Sequence, residues 1–338
     1  MRIAIVKLSA LGDIVQAMLV LQFIKKFNSE ILIDWIAEEI YKDLLEHHPD
    51  INKVHFINIK LAKKKKSLLT LIREFKKVRK LPHYDLVIDM QGLVKSAIIS
   101  KLIPSKETLG FDKNSSRERF ASFFYTKTFK CAYDMNIIER NLSLIEHALG
   151  ANFSLKKIND KDSFLYSKTK TLIIGLSESK KNILIIPGAS HNSKRYSCSK
   201  LAELTKLMDE NFYVIWGDQN EKILAEDIKS ISPKVNICSK LKLDQLILLI
   251  SKVDLVIGPD TGPTHISWAL NIPSIMLFGP TPGYRNTFAT KIHRVIESES
   301  TVNPNNIDRS DNSINNIDVL EVLKESRELL RITKNIYK

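Results

Sequence analysis

Residues 254–270 read as a strand that turns sharply into a helix, and this unit narrows what the chain can fold into. Residues 255–257 are a short apolar run, as in a buried strand. Gly258 and Pro259 break it, and Pro263 stands where a helix accepts proline best, at its first position. Thr261, Gly262, Thr264 and His265 thereby gather at one helix N-terminus. Such a terminus attracts phosphate through unpaired amides and the helix dipole. Gly262 lets an anion approach the backbone closely. Asp260, itself an anion, is expected to accept hydrogen bonds from hydroxyls or to orient backbone. An ordinary strand–helix turn with a capping threonine has the same spacing.

The unit recurs. A strand over 2–6 leaves through the loop 8–13 into a helix over 14–27. Strands over 30–36, 53–57 and 85–89 follow, with a helix over 38–47 after the first of them. The last strand runs through Gln91 and Gly92 into a helix ending at Leu102. A Lys/Ser/Asn-rich linker over 151–181 interrupts the pattern, which then restarts with strands over 182–186, 212–216, 235–237 and 274–278 and helices over 199–209 and 244–252. Alternation of this kind predicts parallel, doubly wound sheets. Its restart predicts an α/β chain of two Rossmann-like domains, 1–165 and 166–316. The helix at 317–338 is expected to pack back toward the first domain. Open α/β sheets bind ligands at the carboxyl ends of their strands. The expected site is therefore a cleft lined by loops 8–13, 89–95, 187–195, 217–221, 258–265 and 279–283.

Several functions fit poorly. No apolar run approaches the ~20 residues of a membrane span, and no signal-peptide pattern opens the chain, so a cytosolic protein is expected. Cys131, Cys198 and Cys238 have no paired spacing, against a disulfide framework or a cysteine zinc site. G-x-G-x-x-G and G-x-x-x-x-G-K-[ST] are both absent, against dehydrogenase and P-loop readings. Asp160-Lys-Asp162 has a metal-binding D-x-D pattern but lies in the polar linker, so no metal is expected there.

The net charge is +13, and residues 60–80 carry ten basic side chains against one acid, Glu74. Lys60, Lys63, Lys64, Lys65, Lys66, Arg73, Lys76, Lys77, Arg79 and Lys80 interleave there with Leu61, Leu68, Leu69, Leu71, Ile72, Phe75 and Val78. This is either a basic amphipathic element that meets an anionic surface or a solvated Lys-rich helix. No nucleic-acid motif accompanies it, so nucleic acid is not an expected partner. Asp13, after a glycine at the exit of the first strand, is placed to act as general base on a hydroxyl or to cap a helix. Lys194 and Arg195 follow a Gly-Ala-Ser turn and suit a pyrophosphate or the open surface. Glu221 suits sugar or ribose hydroxyls, or simply the first turn of a helix.

Lys7-Leu-Ser-Ala-Leu-Gly-Asp13, Asp89-Met-Gln-Gly-Leu-Val-Lys-Ser96, Asp260-Thr-Gly-Pro-Thr-His265 and Phe278-Gly-Pro-Thr281 together resemble glycosyltransferase family 9, the ADP-heptose:lipopolysaccharide heptosyltransferases of Gram-negative bacteria. The resemblance covers nearly the whole chain and keeps the order of the motifs. The run at 89–96 resembles type I members, which add the first heptose to Kdo-lipid A; type II or III members use a heptose acceptor. It implies a GT-B fold, with two Rossmann-like domains facing across a cleft, acceptor on the first and nucleotide sugar on the second. It implies inverting transfer from ADP-heptose, a co-substrate, with no metal and no other cofactor. By resemblance Asp13 is the catalytic base. Ser190, Lys194, Asp260, Thr261, Gly262, Thr264 and His265 meet the donor near its phosphates, and Glu221 and Leu241 meet ribose and adenine. Lys60, Lys63, Lys64, Lys65, Lys66, Gln91 and Arg117 meet the acceptor, and the protein is peripheral to the anionic cytoplasmic face of the inner membrane. Three departures bear on donor contacts: the second hydroxyl expected near Ser190 is missing, Leu241 replaces a methionine, and Pro263-Thr264 replaces a more usual apolar residue.

Overall fold

A parallel strand is covered on both faces, so it needs apolar residues throughout. Ile3, Ala4, Ile5 and Val6 accordingly expose no surface. In the computed structural model, which describes residues 1–172, 174–304 and 306–336, the chain divides into two compact units, Met1–Phe164 and Leu165–Lys338. The first holds β1 (Arg2–Val6), β2 (Leu32–Glu38), β3 (Lys53–Ile57), β4 (Tyr84–Asp89), β5 (Ser105–Phe111) and β6 (Lys127–Phe129). They form one parallel sheet in the order β3-β2-β1-β4-β5-β6. The second holds β7 (Asn182–Ile185), β8 (Asn211–Val214), β9 (Asn236–Ile237), β10 (Leu255–Pro259), β11 (Ser274–Phe278) and β12 (His293–Glu297). Their order is β12-β11-β10-β7-β8-β9, again all parallel. Each sheet is thus an α/β Rossmann-like unit whose strand order reverses once, between β1 and β4 and between β7 and β10.

Some elements of the structure differ from the sequence reading. Strands β5, β6 and β12 were not expected, because Ser-Lys-Glu-Thr, Lys-Thr-Phe and His-Arg-Val mix polar residues into short runs. The helix expected over 38–47 is two short turns, Glu39–Tyr41 and Lys42–Leu45. The C-terminal helix, Val319–Ile336, supplies an apolar stripe to the core of the second unit. Val319, Val322, Leu323, Leu329 and Leu330 lie along one helical stripe, and all five join the core of the second unit with Leu201, Leu204, Leu277 and Ile296. The Tyr196 hydroxyl and Lys200 Nζ fasten its start by donating to the Ile317 carbonyl, at 3.0 and 2.7 Å. Residues 337 and 338 of the expected span lie outside the described residues. Among the described residues no helix is long and apolar enough to cross a membrane.

Candidate active site

Where strand order reverses, the loops leaving two adjacent strands diverge and open a crevice. In the first unit these are the loops after β1 and β4. The helix Leu11–Met18 opens at Ala10, and Asp13, exposed, stands at its third position. Asp13 Oδ2 accepts the Ala10 N–H at 3.1 Å. The carboxylate therefore braces the start of the helix without being its cap residue, and Oδ1 has no partner among the described residues.

What holds this loop in place comes from β4. The Gln91 side-chain oxygen accepts the N–H groups of Leu8 and Ser9 at 2.9 and 3.1 Å. Gln91, expected to meet the acceptor, thus has its amide oxygen committed to backbone. Buried Lys7 donates to the Met90 carbonyl at 2.9 Å, and Lys95 reaches the Ser9 hydroxyl at 3.5 Å. Asp89 is fully buried; its Oδ1 accepts the Gln91 and Gly92 N–H groups at 2.8 and 3.2 Å, and its Oδ2 accepts the Tyr125 hydroxyl at 2.8 Å. Gly92 sits at φ 67°, a backbone state that glycine adopts without strain. Burial pushes the Asp89 carboxyl upward, against hydrogen bonds from Ser96, Tyr125, Gln91 and Gly92. Tyr125 and Asp89 so connect the far loop of β5 to the loop that carries Asp13.

Gly110 makes room for this arrangement: a Cβ there would fall 2.3 Å from the Tyr125 ring. Gly110→Ala is expected to cost about 1–3 kcal/mol of stability, as overpacking does. Denaturant unfolding measures it, and an unchanged midpoint would show that the Tyr125 ring is free to shift.

In the second unit the loops after β7 and β10 meet in the same way. Asp260 is their hub. Its Oδ2 accepts Lys194 Nζ at 2.6 Å, the Asn286 amide at 3.2 Å and the Thr281 hydroxyl at 3.3 Å, and its Oδ1 faces His265 Nε2 at 3.1 Å. Burial alone would raise the Asp260 carboxyl; Lys194 and His265 overcome it and hold the group well below the usual carboxylate range. Asp260 was expected to accept from hydroxyls or to orient backbone; it accepts the Thr281 hydroxyl and, beyond that expectation, holds the Lys194 cation and faces the His265 imidazole. An ammonium has three donors; among the described residues Lys194 gives one, to Asp260, which leaves two for an anion.

The helix Gly262–Ala269 starts at Thr261, and its first amides are scarcer than expected. Pro263 has no N–H, and those of Thr264 and His265 both return to the Thr261 carbonyl, at 3.1 and 3.2 Å. Thr264 is a correction. It exposes no surface and its hydroxyl donates to the Pro259 carbonyl at 2.8 Å, so it secures the turn and cannot offer that hydroxyl to a donor. Arg195, paired with Lys194 in the sequence reading, aims Nη2 at the Ala189 carbonyl, 3.4 Å away. Ser190 is exposed on the turn between them.

Glu221 and Leu241 come to the same sheet edge, after β8 and β9. Glu221 Oε2 accepts the Gly217 N–H at 2.7 Å, and a Cβ on Gly188 would fall 2.2 Å from Glu221 Oε1. Glycine at 188 is what lets this carboxylate lie against the loop after β7. Leu241 is half-buried in the segment leading to the helix Leu243–Ile250.

The expected acceptor residues follow three different strands, β3, β4 and β5. Lys63, Lys64, Lys65 and Lys66 are exposed beyond β3, where Lys60 donates to the Tyr41 hydroxyl at 3.3 Å. Arg117 is exposed beyond β5. Four strand spacings separate β3 from β5, roughly 19 Å, with β1 between them. Asp89, Tyr125, Thr281 and Asn286 are additions to which the sequence reading gave no role; Asp89 and Thr281 lay at the ends of quoted motifs, and Tyr125 and Asn286 lay in none. Asp162, of the D-x-D pattern, pairs with Lys26 at 3.0 Å. Among the described residues no cluster of three or more His, Cys, Asp or Glu side chains could hold a metal ion.

A model of glycosyltransferase family 9 (heptosyltransferase) matches residues 72–310. The chain is 39% identical to lipopolysaccharide heptosyltransferase 1 of Campylobacter coli, over 97% of this chain and 99% of that protein. It is 30% identical to lipooligosaccharide heptosyltransferase 2 of Campylobacter jejuni, over 64% of this chain and 63% of that one. Its fold matches the solved structure of E. coli heptosyltransferase WaaC with ADP at a TM-score of 0.78, covering 97% of this chain and all of that one at 24% identity.

Proposed function

The chain belongs to glycosyltransferase family 9, the heptosyltransferases, and from that membership we propose that it transfers L-glycero-D-manno-heptose from ADP-heptose to the Kdo of Kdo-lipid A with inversion at the anomeric carbon. The observation that carries the reading is the pair of strand-order reversals with complementary chemistry. One presents the Asp13 carboxylate with an oxygen unengaged, and the other presents Lys194, fixed by a buried carboxylate, beside a helix start. In the step proposed, Asp13 takes the proton of the acceptor hydroxyl as its oxygen bonds to the anomeric carbon. The bond from that carbon to the diphosphate breaks, and ADP leaves with the electron pair. Lys194 and the first amides at Thr261 and Gly262 face the charge that develops on the diphosphate. Glu221 and Leu241 receive ribose and adenine, and Ser190 and His265 flank the phosphates.

The finer choice, Kdo rather than heptose as acceptor, is supported by the higher identity and fuller coverage of the type 1 relative. Incubation with ADP-heptose and Kdo-lipid A should release ADP and give a heavier lipid. Release of ADP only with a heptosylated acceptor would move the assignment to the second transfer. Because Lys194 supplies the counter-charge to the leaving group, turnover should persist in EDTA. Complete loss restored by magnesium or manganese would overturn that part of the reading.

The exposed lysines beyond β3 suit an acceptor that carries carboxylates and phosphates on a membrane face, where each basic residue contributes about 1 kcal/mol. Neutralising Lys63, Lys64, Lys65 and Lys66 together should raise the acceptor KM and leave the ADP-heptose KM nearly unchanged. The difference should shrink with added salt, since exposed charges are screened beyond about 8–10 Å. A loss of donor affinity instead would show that these lysines serve the nucleotide.

A further inference from the structure

The sheet edge that carries the Asp13 loop also carries large apolar side chains that nothing among the described residues covers. Beyond β5, the turn Arg119–Phe124 is fixed to the body by one face: Ala121 is fully buried, and it packs with Tyr125, Phe124 and Ala97. The other face presents Phe120 and Phe123, 72% and 79% exposed, with ring centroids 6.2 Å apart. Lys113, Arg117 and Arg119 are exposed around them. The acids nearby are engaged: Glu118 accepts the Val94 N–H at 2.7 Å, and Asp112 accepts the Ser115 hydroxyl at 2.6 Å.

Beyond β3 the pattern repeats. The helix Leu68–Arg79 buries Val78 and packs Phe75 against the core, while its first turn leaves Leu68 and Leu69 69% and 70% exposed. Lys63, Lys64, Lys65 and Lys66 immediately precede it, all exposed. Both groups lie at the carboxyl ends of parallel strands of one sheet, so they share one edge. They follow β3 and β5, which are four strand spacings apart, roughly 19 Å, with β1, the strand that leads into the Asp13 loop, between these two strands.

A soluble monomer seldom leaves two such groups bare. Each combines side chains that seek hydrocarbon with cations that seek a negative surface, the combination used by elements that lie in a membrane interface. We propose that this edge of the first unit docks on an anionic lipid bilayer, with Phe120 and Phe123 on one side and Leu68 and Leu69 on the other inserted below the headgroups. This deepens the proposed function, and rests on it only for the identity of the acceptor. Docking in this way brings the edge of the sheet that carries the Asp13 loop to the membrane face, and it replaces a purely electrostatic attachment with one that resists salt.

The test uses the full chain without donor or acceptor. Sedimentation with vesicles of phosphatidylethanolamine and phosphatidylglycerol should carry the protein down, and added salt should weaken this without abolishing it. Phe120→Ser with Phe123→Ser should lower partitioning about tenfold or more, as withdrawal of two large apolar side chains from the bilayer would, and should remove the part that survives salt. Leu68→Ser with Leu69→Ser should act in the same direction. All four positions are exposed, so the variants should unfold at the wild-type temperature. With an acceptor freed of its acyl chains, the variants should transfer at the wild-type rate. Wild-type partitioning by the variants, or no wild-type binding to these vesicles, would overturn the proposal and leave the patch to an acidic protein surface. Absence of transfer by the wild type would overturn the assigned reaction instead, whatever the vesicles show.

Discussion

Asp13→Asn should reduce transfer by about 10²–10⁴, the usual contribution of a positioned base, and leave the affinity for ADP-heptose nearly unchanged. The two effects separate because Asp13 belongs to the first unit and every proposed donor contact to the second. The amide oxygen of asparagine can still accept the Ala10 N–H that Asp13 accepts at 3.1 Å, so the start of the helix should survive. What is lost is the ability to take a proton. Asp13→Ala removes the brace as well and should lower the melting temperature, which the asparagine variant should not. Steady-state turnover with calorimetry of ADP-heptose binding measures both quantities. Near-normal turnover by Asp13→Asn would mean that this carboxylate only organises the loop, and that the base lies elsewhere.

The division of labour between Asp13 and its supports shows what a sequence can and cannot disclose here. The alternation of apolar runs and helices was legible because strands buried on both faces must be apolar, as residues 255–257 and 274–278 are. Strand β5 was not, because Ser105 to Glu107 carry its polar, partly exposed start. The Asp13 and Asp260 motifs stood out because a turn at a strand exit concentrates Gly, Pro and polar residues. Their supports did not, since Tyr125 reaches Asp89 across 36 positions and Asn286 reaches Asp260 across 26. Thr264 shows a different limit. Spacing placed its hydroxyl at the helix start, but spacing carries no side-chain direction, and the structure turns it toward the Pro259 carbonyl. The C-terminal helix shows a third: an apolar stripe specifies that a face is covered, not by which residues.

Lys194→Ala should show the largest combined effect, because the residue holds a buried carboxylate and, in the proposed reaction, also faces the leaving group. Asp260 is almost fully buried, and Lys194 is its nearest cation, at 2.6 Å. Removing one partner of a buried pair costs about 3–5 kcal/mol, since the remaining charge stays desolvated. The pH dependence follows from the direction of the Asp260 shift. In the wild type its carboxyl is held below its ordinary value, so the pair contributes stability above the ordinary carboxylate range, and that contribution is lost only as pH falls through the lower, folded-state value. Removing Lys194 takes away the largest influence that opposes burial and leaves His265, Asn286 and Thr281, so the folded-state value of the carboxyl should rise and the ionised group should contribute less stability at neutral pH. The deficit of the variant should therefore be greatest near neutrality and shrink as pH falls toward the carboxylate range. Asp260→Asn in the same chain should recover much of the loss, which a double-mutant cycle would resolve. It should not recover transfer, because the diphosphate still lacks its counter-charge; the deficit there should stay at about 10²–10³, the cost of removing one preorganised donor. Melting curves across pH, with ADP affinity measured on the single and double variants, test both halves. Unchanged ADP affinity in Lys194→Ala would confine the residue to holding Asp260. Recovery of transfer in the double variant would show that Lys194 matters only through the carboxylate it neutralises.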